Sequence, residues 1–142
     1  MSSSLTARAS TSIHASNDAV WKALVDPAAI KQYMFGADVA SDWREGSSIT
    51  WKGEYNGKSY EDKGRVLEVE RGRRLKYSHF SPMSGKPDKP ENYHTVTIEL
   101  AGDGDETRVS LSQDNNADEK AREHSEKNWS SMLSGLKEYV EK

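Results

Sequence analysis

Two histidines and two side-chain amides carry the types and spacing that could do chemistry in this chain. His79 and His94 flank a proline-rich stretch, and Gln113 and Asn115 share one face of the next alternating run. An imidazole can exchange a proton with a bound oxygen near neutral pH or hydrogen-bond it without transfer. An amide can only hold a polar group in place. Hairpin pairing across the proline-rich stretch sets His79 beside His94, Tyr77 beside Val96 and Leu75 beside Ile98. Centring the next turn on Gly102 to Asp105 sets Ile98 opposite Val109, Val96 opposite Leu111 and His94 opposite Gln113. One sheet face then grades from an apolar floor to a rim of His79, His94 and Gln113, with Asn115 just beyond. Apolar volume with a few hydrogen-bonding groups at one end is the lining of a small-molecule site. The same polar groups also suit the wet end of a sheet, where they would contact only water.

Other chemistries find less support. No glycine-flanked serine elbow accompanies the histidines, which leaves nucleophilic catalysis without its usual turn. His14, His79, His94 and His124 are dispersed and no HExxH occurs, so a metal would need His79, His94 and an unusual third ligand such as Gln113, Asn115 or Asp62. No metal and no cofactor is expected. Gly102 and Gly104 belong to a hairpin turn rather than to a phosphate loop ahead of a helix.

These residues need elements to position them. Leu5, Ala7, Ala9, Thr11 and Ile13 alternate with polar residues, the period of a half-buried strand. Ser16 or Asn17 caps a short helix with Val20, Trp21 and Leu24 on its buried side, and Asp26-Pro27 restarts the chain as a second helix to about Tyr33. Strand signals resume at Ile49 and Trp51, and Asn56-Gly57 marks a tight hairpin with a return strand from about Lys58 to Glu70. Pairing Tyr55 with Lys58 puts Tyr60 on the face of Gly53 and Asp62 opposite Trp51. Farther along, the apolar Leu67 and Val69 are out of phase, so a bulge near Gly64 is expected. The loop from Ser81 to Asn92, with Pro82, Pro87 and Pro90, is either a lid or a slack connector. Trp129, Met132, Leu133, Leu136 and Val140 then form one stripe of a long closing helix, preceded by a polar run from Asp118. The order is a strand, two short helices, about six antiparallel strands and a long C-terminal helix. That helix is the one element long enough to cover the apolar face of the sheet.

The totals narrow the class. A length of 142 residues suits a single domain spanning 1–142, and 34% hydrophobic residues gathered in periodic blocks predicts a folded chain with a lean core. A formal charge of -3 with both signs interspersed offers no basic face for nucleic acid and no polybasic membrane anchor. The chain has no cysteine, which excludes disulfides and thiolate chemistry. No segment reads as a secretory signal or a bilayer span, so a cytoplasmic protein is expected.

Ile13-His14-Ala15 through Val20-Trp21, Ala23-Leu24, Asp26-Pro27 and Ile30 resembles the opening of the SRPBCC superfamily, the START-related helix-grip proteins. With Gly64-Arg65-Val66-Leu67-Glu68 and the closing Trp129, Leu133, Leu136-Lys137 and Tyr139, the chain is most similar to the branch named after the activator of the heat-shock-protein-90 ATPase. Asn128 stands where that branch often has glycine. The resemblance implies an α+β helix-grip fold, a curved antiparallel sheet of about seven strands wrapped round the C-terminal helix, often with a cavity for apolar ligands. The lining expected here is Trp51, Tyr60, Tyr77, Val96, Leu111, Trp129, Met132 and Leu133, with His79, His94, Gln113 and Asn115 at the polar end. A buried Trp129 would cost ~3–5 kcal/mol on replacement by alanine.

Three functions compete. The first is binding of a small hydrophobic molecule, lipid-like or aromatic and polyketide-like, with the proline-rich loop gating entry. The second is a cyclase- or dehydratase-type enzyme using His79 or His94 in the same cavity. The third, implied by the resemblance alone, is an interaction module that contacts a chaperone. Self-association into a homodimer through an exposed sheet edge is compatible with each.

Overall fold

The structure, a computed structural model, describes residues 5–34, 36–55, 57–82 and 85–141. Strand β1 (Leu5–Ile13) leads into helices α1 (Asn17–Val25) and α2 (Pro27–Tyr33). Six strands follow: β2 (Asp38–Ser41), β3 (Ser48–Tyr55), β4 (Lys58–Glu70), β5 (Arg74–His79), β6 (His94–Asp103) and β7 (Glu106–Asn116). Helix α3 (Glu119–Glu141) closes the chain. The seven strands form one antiparallel sheet in the order β1-β7-β6-β5-β4-β3-β2, an α+β helix-grip arrangement. The short strand β2 falls in a stretch where the sequence carries no clear alternation.

The helix starts follow local chemistry. Ser16 caps α1, its hydroxyl accepting from the Ala19 amide at 3.2 Å. The Asp26 carboxylate accepts from the Ala28 amide at 3.1 Å ahead of Pro27, whose missing N–H has no partner to lose at a first helical position. Asp118 does the same for α3, accepting from Ala121 at 2.8 Å. With Ser16 serving as the cap, Asn17 ties the elbow to β7 instead, its side-chain oxygen accepting from the Thr107 hydroxyl at 2.7 Å.

Helix α3 buries Met132, Leu133 and Leu136 and approaches β1 most closely, with lesser contacts to α2, β7 and α1. Gly135 permits the α2 contact, since a Cβ there would lie 3.2 Å from Tyr33 Cβ. Toward the far strands β3 to β5, Trp51 and Tyr77 pack together and, with Trp129 of α3, line the space between sheet and helix.

Three details of strand phase differ from the sequence reading. The β6–β7 pairing is displaced by two residues from the expected one: Ile98 faces Leu111, Val96 faces Gln113 and Leu100 faces Val109. The reversal is a two-residue turn at Gly104-Asp105, and Gly104 takes the positive φ of +76°. Gly102 instead stays in the ladder, where a Cβ would collide with the Glu106 carbonyl oxygen at 2.4 Å. On β4 the extra residue is Leu67 rather than one near Gly64: pairing with β5 shifts between Val66 and Glu68, Val66 is buried, and Leu67 turns outward at 44% exposure. Gly64 serves a close approach, because a Cβ there would sit 1.8 Å from the Ser78 carbonyl oxygen. On β7 the backbone of Asn115 has φ +60°, and pairing with β1 slips by one residue there. The slip turns Asn115 outward and buries Asn116 instead. The other expected pairings hold: Tyr55 with Lys58, Gly53 with Tyr60, Trp51 with Asp62, and His79 with His94. In the expected Asn56-Gly57 turn, Gly57 has φ +78°, while Asn56 lies outside the described residues.

Candidate functional site

Between the sheet and α3 lies a cavity of about 110 Å³ lined by Met34, Ala37, Trp51, Tyr60, Asp62, Tyr77, His79 and Trp129. Each strand contributes by alternation: Tyr60 and Asp62 from β4, Tyr77 and His79 from β5, Trp51 from β3. Tyr60 crosses the sheet over its pairing partner Gly53, where a Cβ would lie 2.7 Å from the Tyr60 hydroxyl. A glycine opposite an aromatic ring leaves the space that the ring occupies. Trp51 packs against Tyr77 with ring centroids 5.4 Å apart and meets the His79 ring edge-on at 5.0 Å.

The polar groups converge on one end. His79 Nε2 donates to Asp62 Oδ2 at 2.9 Å. A carboxylate can only accept, so the proton of this contact resides on Nε2. The other carboxylate oxygen, Asp62 Oδ1, is buried with no hydrogen-bond partner. An orphaned acceptor of this kind is costly to leave unmet. Burial raises the Tyr60 phenol above its ordinary range, and the carboxylates of Asp62 and then Asp38 raise it further. Burial alone pushes the Tyr77 phenol well above its usual value.

His94 stacks beside His79, with centroids 6.2 Å apart and ring planes 27° from parallel, but it does not line the cavity. Its Nδ1 donates to the Asp114 carbonyl at 2.9 Å. Burial chiefly, with some opposition from that carbonyl bond and a smaller push from His79, lowers its pKa below the ordinary imidazole value.

The expected site residues therefore divide. Trp51, Tyr60, Tyr77, His79 and Trp129 come together around the cavity. Val96, Leu111, Met132 and Leu133 are buried in the core without reaching it. Gln113 is committed elsewhere, accepting from the indole N–H of Trp129. Trp129 is half-buried at the cavity edge, so its removal should cost less than a fully buried indole would. Asn115 faces away and donates to the carbonyls of Glu91 at 2.8 Å and Tyr93 at 3.1 Å. Asp62, Met34 and Ala37 were missed as lining. For Asp62 the signal was present, since the alternation that points Tyr60 inward points Asp62 inward as well. Nothing in the sequence brings Met34 and Ala37 here, because they reach the cavity through the turn after α2.

The described residues of the proline-rich loop make defined contacts away from the inner cavity. Asp88 pairs with Lys63 and accepts from the Tyr93 hydroxyl at 2.6 Å, while Phe80 and Tyr93 stack at 5.1 Å. These contacts fold it onto the outer sheet face, beside an open groove of about 640 Å³ that includes Leu67, Arg65 and Thr95. None of its described residues lines the inner cavity. Met83 and Ser84 lie outside the described residues.

Among the described residues, no three His, Asp or Glu side chains cluster as a metal site, and no helix is long and apolar enough to cross a membrane.

The same architecture recurs in proteins of known structure. A protein from Cytophaga hutchinsonii, solved in solution, shares 55% identity over 99% of this chain and 97% of its own, with a TM-score of 0.86. CalU16 from Micromonospora echinospora has the same fold at 23% identity, covering 97% of this chain and 85% of its own, with a TM-score of 0.73. The Aha1 dimer from Colwellia psychrerythraea does so at 19% identity, with 96% of each chain covered and a TM-score of 0.74. No curated protein matches the sequence. The profile of the Activator of Hsp90 ATPase homolog 1-like proteins matches residues 14–141, nearly the whole length. The chain belongs to that family.

Proposed function

We propose that this chain binds a small, largely apolar molecule in the cavity between the sheet and α3. The observation that carries this reading is the meeting of four aromatic side chains, Trp51, Tyr60, Tyr77 and Trp129, with an unpartnered carboxylate oxygen on Asp62 around one void. Size then selects among ligands. Sites for drug-sized molecules occupy ~300–1,000 Å³, whereas an apolar cavity of ~150 Å³ takes benzene. At about 110 Å³ the cavity suits one ring or a compact headgroup. A lipid-like or polyketide-like molecule would require Trp129 or Met34 to swing aside. Asp62 adds that the ligand should present a hydrogen-bond donor. Titration of the 15N-labelled protein with phenol, toluene and pyrrole tests this: saturable shifts of the Trp51 and Trp129 indole signals are expected. A series that leaves both unmoved overturns it.

One observation favours a second reading. An imidazole oriented by a carboxylate, as His79 is by Asp62, is equipped for proton transfer to a bound ligand. Its test is proton exchange on a small bound ketone. That exchange should show a pH–rate profile lost in His79→Gln while binding survives.

A further inference from the structure

We infer that the ligand of this cavity is an organic cation, a methylated ammonium that keeps one N–H. The inference rests on the binding reading above and names the chemical class that the lining selects.

Trp51, Tyr60, Tyr77 and Trp129 bring π-systems from two neighbouring strands, a third beyond them and the helix to one void, with the Met34 thioether alongside. Among the described residues no lysine or arginine lines that void, and its one carboxylate is Asp62, with the His79 imidazole bonded to one of the two oxygens. Aromatic faces attract a positive group, most strongly one with methylated nitrogen that water holds weakly. A carboxylate at one end supplies the counter-charge. The electrostatics of Tyr60 agree: after burial, the carboxylates of Asp62 and Asp38 both resist ionisation of its phenol, which marks a negative field at the cavity wall. Asp38 is paired with Lys31 at 3.1 Å out at the surface, so the inner carboxylate dominates.

The hydrogen-bond inventory sharpens the class. Asp62 Oδ2 is engaged by His79, and Oδ1 is buried without a donor. A fully substituted ammonium has no N–H to give it. A trimethylammonium ion has one N–H for Oδ1 and three methyl groups for the rings, in a volume that about 110 Å³ accommodates. A neutral ring of similar size with no donor would fill the space and leave Oδ1 unmet, without the attraction that a positive group gains from the rings and the carboxylate.

The experiment titrates the 15N-labelled full chain with four probes of similar bulk: trimethylammonium, tetramethylammonium, tert-butanol and pivalate. Expected are saturable shifts of the Trp51 and Trp129 indole signals, with trimethylammonium at least tenfold tighter than tert-butanol. Tetramethylammonium should be several-fold weaker than trimethylammonium, and pivalate weaker than tert-butanol. Asp62→Asn, checked for folding by its ligand-free spectrum, should lose the preference for the cation over tert-butanol. If that variant does not fold, the wild-type series alone decides. Tert-butanol binding as tightly as trimethylammonium overturns the cation inference and leaves the apolar-ligand reading standing. If none of the four probes and none of the neutral ring compounds binds, both are overturned.

Discussion

The indole N–H of Trp129 on α3 donates to the side-chain oxygen of Gln113 on β7. Gln113 is 8% exposed, so this oxygen has little access to water. The contact ties the middle of the helix to the sheet beside one wall of the cavity.

Trp129→Phe keeps most of the apolar contact and removes that donor. Leaving a buried acceptor unmet costs ~1–3 kcal/mol, and urea denaturation should show a loss in this range. Combining it with Gln113→Leu should recover part of the loss, because both polar partners are then gone. An additive double variant would mean that the bond contributes nothing.

Gly64→Ala should be the most damaging single methyl in the sheet. The added Cβ would lie 1.8 Å from the Ser78 carbonyl oxygen, a backbone atom that cannot rotate away. Separating β4 from β5 should cost ~3 kcal/mol or more. It should also disturb the Asp62–His79 contact, since those residues flank the displaced pair. Gly53→Ala, by contrast, meets the flexible end of Tyr60 and should cost less while altering ligand affinity. Thermal denaturation of the two variants side by side checks the order.

His94 makes stability depend on pH near neutrality. Burial lowers its folded pKa beneath the ordinary value of 6.5, so the unfolded chain binds the proton more readily. Stability from this group is complete above about 6.5 and falls as pH drops toward the folded value, where it levels off. His94→Gln removes the titrating ring, so it should flatten that part of the stability curve measured by denaturation between pH 5 and 8. An unchanged slope would place the titration elsewhere.

Two carboxylates of α3 cover backbone amides along β1 and just beyond its end. Glu126 accepts from the Arg8 amide at 3.0 Å and Glu141 from the His14 amide at 2.8 Å, while Lys137 donates to the Ser12 carbonyl at 2.7 Å. Backbone amides hold both carboxyls below their usual range, aided by Arg122 at Glu126 and Lys137 at Glu141. Stability from them is present above the ordinary carboxyl range and is lost as pH falls through the lowered values. Unpaired strand amides invite another strand. The double variant Glu126→Ala, Glu141→Ala should therefore self-associate more than the wild type in sedimentation velocity at neutral pH. Equal behaviour would show that the helix itself shields the edge.

Much of this protein is determined by local rules that act over a few residues. Alternation at Leu5–Ile13 and the 3.6-residue stripe of Met132, Leu133 and Leu136 record which face is buried, because a half-buried element needs that period. Ser16, Asp26 and Asp118 announce helix starts because the first amides need acceptors close in sequence. The facing of Trp51, Tyr60, Tyr77 and His79 followed from the same alternation and two hairpins.

Tertiary structure decided what local rules leave degenerate. A turn centred on Gly102 to Asp105 was expected, but the chain reverses at Gly104-Asp105 while Gly102 stays in the ladder close to Glu106 and Asn17, which moves Gln113 away from His94. A positive φ at Asn115 turned it outward, because its amide found the Glu91 and Tyr93 carbonyls from a distant loop. The volume left between α3 and the far strands depends on how five large side chains from four elements share one space. No periodicity encodes that sum, so the cavity's size and the orphaned oxygen of Asp62 became legible only once the chain was folded.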